Sequence, residues 1–147
     1  MSMSDSTPAY LALAVVVVGW FVANFQANRR EDRKEARALV DRAKLLAEGI
    51  AKDAIDYLAS PDSALAPKLK ADLDLLEIEL SRLPNFDVRS APLISRLTHF
   101  QEAVTGGDFE TADRPGRGAG SYEVRAVMTA RNELMWEMER QFRAYYL

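Results

Sequence analysis

The stretch Ala9–Phe25, AYLALAVVVVGWFVANF, carries no ionised side chain, and its centre Leu11–Val18 is wholly apolar. A run of that kind must leave water, either into a protein core or into lipid. As a helix it is roughly 25 Å long at about 1.5 Å per residue, slightly short of a bilayer core of about 30 Å. Thr7, Pro8 and Gln26 extend it at headgroup level. Tyr10 lies at one end, with Trp20, Phe21 and Phe25 towards the other, the places where amphipathic aromatics favour a membrane interface. The β-branched run Val15–Val18 is tolerated where the backbone has no water to bond. These features predict a single transmembrane helix over 9–26 in preference to a buried core helix or a cleaved leader. A leader wants positive charge ahead of its apolar run, and Met1–Tyr10 contains no Lys or Arg.

The charge after the run sets the expected orientation. Asn28–Lys44 holds Arg29, Arg30, Arg33, Lys34, Arg37, Arg42 and Lys44. The positive-inside rule then predicts a short external tail over 1–8 and a cytoplasmic remainder, at the inner membrane if the host is a bacterium. Tyr10, Trp20, Arg29 and Arg30 are the expected membrane-interface residues, and membrane lipid an expected partner. Gly19, Ala23 and Ala27 fall at i, i+4 and i+8, a small-residue stripe of the kind that lets membrane helices pack closely.

Composition narrows the chemistry. Cysteine is absent and His99 is the only histidine, which removes disulfides, thiol nucleophiles and most zinc-site spacings. A net charge of −3 gives no nucleic-acid footprint. No cofactor or metal is expected, and no small-molecule substrate is evident.

Beyond the apolar run, Asn28–Ala38 is polar on every helical face and reads as a charged stalk over 27–38. Leu39, Ala43, Leu46, Ile50, Ala54 and Tyr57 then recur at spacings of three and four, one apolar helix face, with Val40, Leu45, Ile55 and Leu58 widening it. Pro61 disfavours helix in the residue before it. Pro67 suits the first turn of a second helix, whose face is Leu69, Leu73, Leu76, Leu80 and Leu83. Ser90 and Pro92 open a third, with Leu93, Leu97, Phe100 and Val104 apolar, His99 beside them, and Gly106 as its stop. A fourth starts near Ser121, with Val124, Val127, Leu134, Met138 and Tyr145 broadly on one face. Met128, Met135, Trp136 and Phe142 widen that face, read as core.

Between the last two helices lies Thr105–Gly120, TGGDFETADRPGRGAG, whose glycines and proline argue against regular structure. Long loops in compact domains tend to be functional or disordered. Gly106, Gly107, Arg114 and Arg117 invite comparison with a phosphate cradle, but their spacing fits neither a Walker loop nor a dinucleotide fingerprint. Asp108, Phe109, Glu110, Arg114 and Arg117 are the candidate contacts for a partner.

The order of elements resembles small uncharacterised bacterial membrane proteins: apolar run, basic stalk, a helix ending in Thr105-Gly106-Gly107-Asp108-Phe109-Glu110, and a final helix rich in Glu and aromatics. The resemblance implies an inner-membrane location and brings no activity or functional residues. The expected fold is therefore all-α, a transmembrane helix continuing into an irregular antiparallel bundle of about four helices over 39–147, with the loop at 105–120. The expected function is a membrane-anchored, non-enzymatic adaptor or assembly subunit with a protein partner or a second copy of itself. The alternative is a small membrane effector of prophage, toxin or defence type.

Overall fold

The computed structural model describes residues 7–60, 64–83, 91–111 and 113–146, with side chains from 13 onward. These residues form four helices: α1 Thr7–Ala59, α2 Leu65–Ser81, α3 Ala91–Thr105 and α4 Tyr122–Tyr146. Among the described residues there is no strand, so an irregular four-helix, all-α bundle is the fold. The expected anchor, stalk and first bundle helix are one unbroken helix of 53 residues. The mixed charges of Asn28–Ala38 keep the helix going, since Arg, Lys, Glu and Ala are all good helix formers.

The chain divides into two units, Met1–Glu35 and Ala36–Leu147. In the first, every described side chain is exposed. Trp20 meets Phe21 edge-on at 5.4 Å, and the Arg29 guanidinium lies 4.6 Å from the centre of the Phe25 ring. A Cβ added at Gly19 would meet nothing within 4 Å.

Among the described residues no helix is long and apolar enough to cross a membrane. This corrects the transmembrane helix, the membrane-anchored function and its membrane-effector alternative, lipid as a partner, and the inner-membrane location with its N-terminus outside. The uncharged run Ala9–Phe25 spans roughly 25 Å at 1.5 Å per residue, short of about 30 Å of hydrocarbon, and the helix then enters the charges at Arg29. The interface roles of Trp20, Arg29 and Arg30 and the packing stripe of Gly19, Ala23 and Ala27 were expectations resting on that anchor, and all six residues are exposed. The side chains at 9–12, and with them the role given to Tyr10, lie outside the described residues, as do residues 1–6 of the tail expected over 1–8, while Thr7 and Pro8 belong to α1.

The second unit holds the core. On α1 the buried positions Ala36, Val40, Ala43, Ala47, Ile50, Ala54 and Tyr57 alternate by four and three, and Ala51 and Leu58 beside them are buried too. The sequence placed Leu39 and Leu46 on this seam. They are only partly buried, and Leu45 is exposed. Alanines occupy the seam because a small side chain is what close approach of a neighbouring helix leaves room for. On α2 the seam is Leu69, Leu73, Leu76 and Leu80, continued by Leu83, and on α3 it is Leu93, Leu97, Phe100 and Val104, all as their spacing predicts. The residues 84–90, including the expected cap at Ser90, lie outside the described residues.

On α4, Val124, Val127, Ala130, Leu134, Met138 and Phe142 are buried. Trp136, Met128 and Tyr145 are exposed, which corrects their reading as core. Trp136 and Met128 sit two residues from or beside seam positions, where a helix turns its side chains outward, and Tyr145 lies past Phe142, the last buried position of α4. Ser121 caps α4 by accepting a hydrogen bond from the Val124 N–H at 3.3 Å.

Polar contacts tie α1 to α4. Glu139 accepts from Lys44 at 2.6 Å and from Arg37 at 3.0 Å. The Lys44 hydrogen bond outweighs the cost of partial burial and, with Arg37, holds the Glu139 carboxyl down at about 2. Glu137 is buried yet satisfied, accepting from both Arg140 and Gln141; the Arg140 hydrogen bonds are the main reason its pKa is lowered.

Candidate functional site

The C-terminal end of α1 is where the loop 105–120 acquires its shape. The last carbonyls of a helix have no partner inside it. Two of them here are met from the loop. The Tyr57 carbonyl accepts from Arg114 Nη2 at 2.6 Å, and the Leu58 carbonyl accepts from the Arg117 N–H at 2.6 Å. A cation at a helix C-terminus also complements the helix dipole. Gly116 allows the approach: a Cβ there would sit 2.3 Å from the Ala59 carbonyl oxygen. Farther back the loop bends through three residues at positive φ, Gly107 at 66°, Glu110 at 63° and Asp113 at 60°. The two that are not glycine hold a sparsely populated conformation, sustained by surrounding contacts.

Those contacts form two sets. In one, Phe109 packs on the Tyr57 ring at 5.1 Å, the Glu110 N–H donates to the Tyr57 hydroxyl at 3.1 Å, and the Glu110 carboxylate takes Lys70 at 2.6 Å. In the other, Asp108 faces two arginines. Arg117 Nη2 donates to it at 3.1 Å, and Arg114 Nη1 lies 3.6 Å away. The Arg114 guanidinium also lies over the Tyr57 ring, 4.1 Å from its centre, a cation–π contact strengthened by removal from water. Arg114 is 7% exposed.

All five residues singled out in the loop thus converge around the end of α1. Their bonds are to one another, to α1, to Lys70 of α2 and to Glu123 of α4. This corrects the expectation of a protein partner or second copy reached through a free docking loop: the side chains meant to reach outward are already engaged.

Asp108, Arg114 and Arg117 line a cavity of about 530 Å³, with Leu58, Val104 and Ala126 as apolar wall. Phe109 and Glu110 are not part of its lining. Four polar residues missing from the sequence-derived set complete it. His99 and Glu102 come from α3, and Tyr122 and Glu123 from the start of α4. The signal for them was local: His99, Glu102 and Gly106 stand at i, i+3 and i+7, one face of a helix. That face is polar, so an apolar-periodicity reading passes over it.

The charged groups on the wall are unevenly matched. The Nε atoms of Arg114 and Arg117 are buried without a hydrogen-bond acceptor, although Glu123 Oε1 lies 3.4 Å from Arg117 Nε. Glu102 is exposed. His99 lies 3.5 Å from Glu133, which also takes Arg96 at 2.6 Å. Among the described residues no group of three or more His, Asp or Glu is placed to hold a metal ion.

Compared with known proteins, the chain matches no family model, no curated protein and no solved structure. The resemblance to small bacterial membrane proteins is corrected accordingly. No match supports it, and the spanning helix it needed is not found among the described residues.

Proposed function

We propose that this chain is a non-enzymatic binding module whose loop, strapped to the end of α1, forms one wall of a small-molecule site. The observation that carries the reading is a largely buried arginine, Arg114, in the wall of a cavity of about 530 Å³. That volume falls within the range of about 300–1,000 Å³ usual for small-ligand pockets, which combine apolar surface with a few placed polar groups. Leu58, Val104 and Ala126 supply the first, and Asp108, Arg117 and Glu123 the second. Asp108 is shared by two guanidiniums, an arrangement that holds a shape rather than one that shuttles protons.

The test is a thermal-shift screen of the full chain against a library of small metabolite-type molecules, with hits mapped by amide chemical-shift changes. The expected hits perturb Val104, Asp108, Glu123 and Ala126 together and are recovered chemically unchanged. Hits that map elsewhere, or none at all, would overturn the binding site. A hit returned as a different compound would overturn the non-enzymatic reading.

A further inference from the structure

Beyond the cavity at the end of α1, we infer that α3 and α4 carry a second ligand site, built on Trp136, for the ring of a single pyranose sugar. Trp136 is 64% exposed, although covering an indole is among the largest hydrophobic gains one side chain offers. With Arg96, Asn132 and Glu133 it lines a cavity of about 320 Å³, a size used by small ligands. None of these four residues lines the cavity at the end of α1. Asn132, Glu133 and Trp136 stand at i, i+1 and i+4 on α4, and residues three and four apart are neighbours on a helix surface. Arg96 reaches across from α3 and donates to Glu133 at 2.6 Å.

The rim of this site is polar without being charged to one sign. Arg96 and Glu133 answer each other. Both contacts of Glu133, to Arg96 and to His99, use Oε2, so Oε1 stays open to an outside donor. Asn132 accepts two hydrogen bonds from Arg131 through Oδ1, and its NH₂ group has no partner among the described residues, nor has the Trp136 N–H. Water serves these groups in the free protein, so an occupant must return both donors and acceptors. An anion would compete with Glu133 for Arg96, and a cation with Arg96 for Glu133. An aliphatic molecule would strip water from the rim and return no hydrogen bond. A nucleobase has two apolar faces, and with Trp136 the sole aromatic ring in the lining, one of them would stay in water. A pyranose ring has a C–H face to lay on the indole, and hydroxyls around its rim that each donate and accept. One indole and a cavity of this size fit one such ring.

The test uses the full chain carrying Trp20→Phe, which leaves Trp136 as its one tryptophan. Titration with methyl β-D-galactoside, whose axial hydroxyl gathers its C–H groups on one face, is expected to move the Trp136 emission saturably to shorter wavelength as the ring covers the indole. Galactitol, which has the hydroxyls without the ring face, and adenosine, which has the flat ring without the hydroxyl rim, are expected to leave it unmoved. By isothermal titration, Trp136→Ala is expected to abolish binding of the galactoside. Asn132→Ala is expected to weaken it by roughly three- to tenfold, the worth of one net hydrogen bond. Both variants should keep the parent Tm, because both side chains are exposed. No saturable shift with the galactoside, an equal shift with galactitol, a tighter response to adenosine, or binding that survives Trp136→Ala would each overturn the sugar site. The cavity at the end of α1 stands or falls separately, on the chemical-shift changes at Val104, Asp108, Glu123 and Ala126.

Discussion

Two stretches of α1 invert the usual expectation about hydrophobicity. Leu13–Phe25 lies in the most apolar run of the chain, yet Val15 and Trp20 are 70% and 63% exposed. Ala36–Leu58 is interrupted by Arg37, Asp41, Arg42, Lys44, Glu48, Lys52, Asp53 and Asp56, yet Val40, Ala47 and Ile50 are fully buried. The difference is periodicity. The first stretch is apolar all round and offers no one face for a bundle to close on. The second concentrates small and apolar residues on a single seam and puts its charges outside it. Burial in a bundle follows the seam and not the sum of apolar residues.

The comparison breaks most readily at the seam. Ile50→Ala is expected to cost about 2–5 kcal/mol of unfolding free energy by removing a fully buried side chain. Val16→Ala, on an exposed side chain, should stay within about 0.5 kcal/mol. Urea titrations of both give the contrast directly, and equal costs would show that Val16 is as buried as Ile50.

Glycines draw the same contrast more finely. Gly116→Ala puts a methyl against the Ala59 carbonyl and is expected to destabilise by about 1–3 kcal/mol. Gly19→Ala meets nothing within 4 Å in the middle of a helix, and should raise helix content, worth up to about 1 kcal/mol. Circular dichroism and thermal melts of the pair distinguish the tight loop contact from the open helix.

Acid separates the paired charges of the second unit. The Glu139 carboxyl is held at about 2 against an ordinary 4.5, first by the Lys44 hydrogen bond and then by Arg37. A depressed carboxylate pKa stabilises fully above the unfolded value and loses that contribution as pH falls through the folded one. Glu139→Gln is therefore expected to be less stable than the parent at pH 7, on the order of 1 kcal/mol for a partly exposed pair. The gap should close as pH is lowered from 4.5 to about 2, as denaturant titrations at each pH would record. A gap that persists at low pH would remove the ion pairs as its cause.

The smallest effect belongs to Lys68, which bonds Asp53 on the surface. Lys68→Ala is expected to leave the denaturation midpoint essentially unchanged, which a double-mutant cycle with Asp53→Ala can check.

How much was legible follows from the same physics. The seams of α2 and α3 were readable because Leu69–Leu83 and Leu93–Val104 repeat at helical spacing. Proline at 67 and 92 and glycine at 106 marked the ends. The α1 seam was read one residue off, at Leu39 and Leu46, because a leucine outweighs an alanine in any scale of hydrophobicity. Only the close packing of the bundle makes Val40 and Ala47 the inner positions. Trp136 was assigned to the core for the same reason.

The candidate site was legible as a list and not as a place. Asp108, Phe109, Glu110, Arg114 and Arg117 stood out as charged or aromatic residues in a glycine-rich loop. Nothing in their order announced that Arg114 and Arg117 would complete the open carbonyls of a helix ending more than fifty residues earlier. His99 and Glu102 share a helix face that apolar periodicity passes over, and Tyr122 and Glu123 were beyond reach because a cavity wall shared by two helices and a loop has no spacing of its own. By itself the sequence determined the helices, the absence of cysteine chemistry and most of the apolar seams, because these depend on neighbours a few residues apart. The tertiary structure alone decided that Val40 and Ala47, rather than Leu39 and Leu46, are inner positions of α1 and that the loop is bonded to the end of α1. It also set the cavity there, because each depends on contacts between residues the chain order keeps far apart.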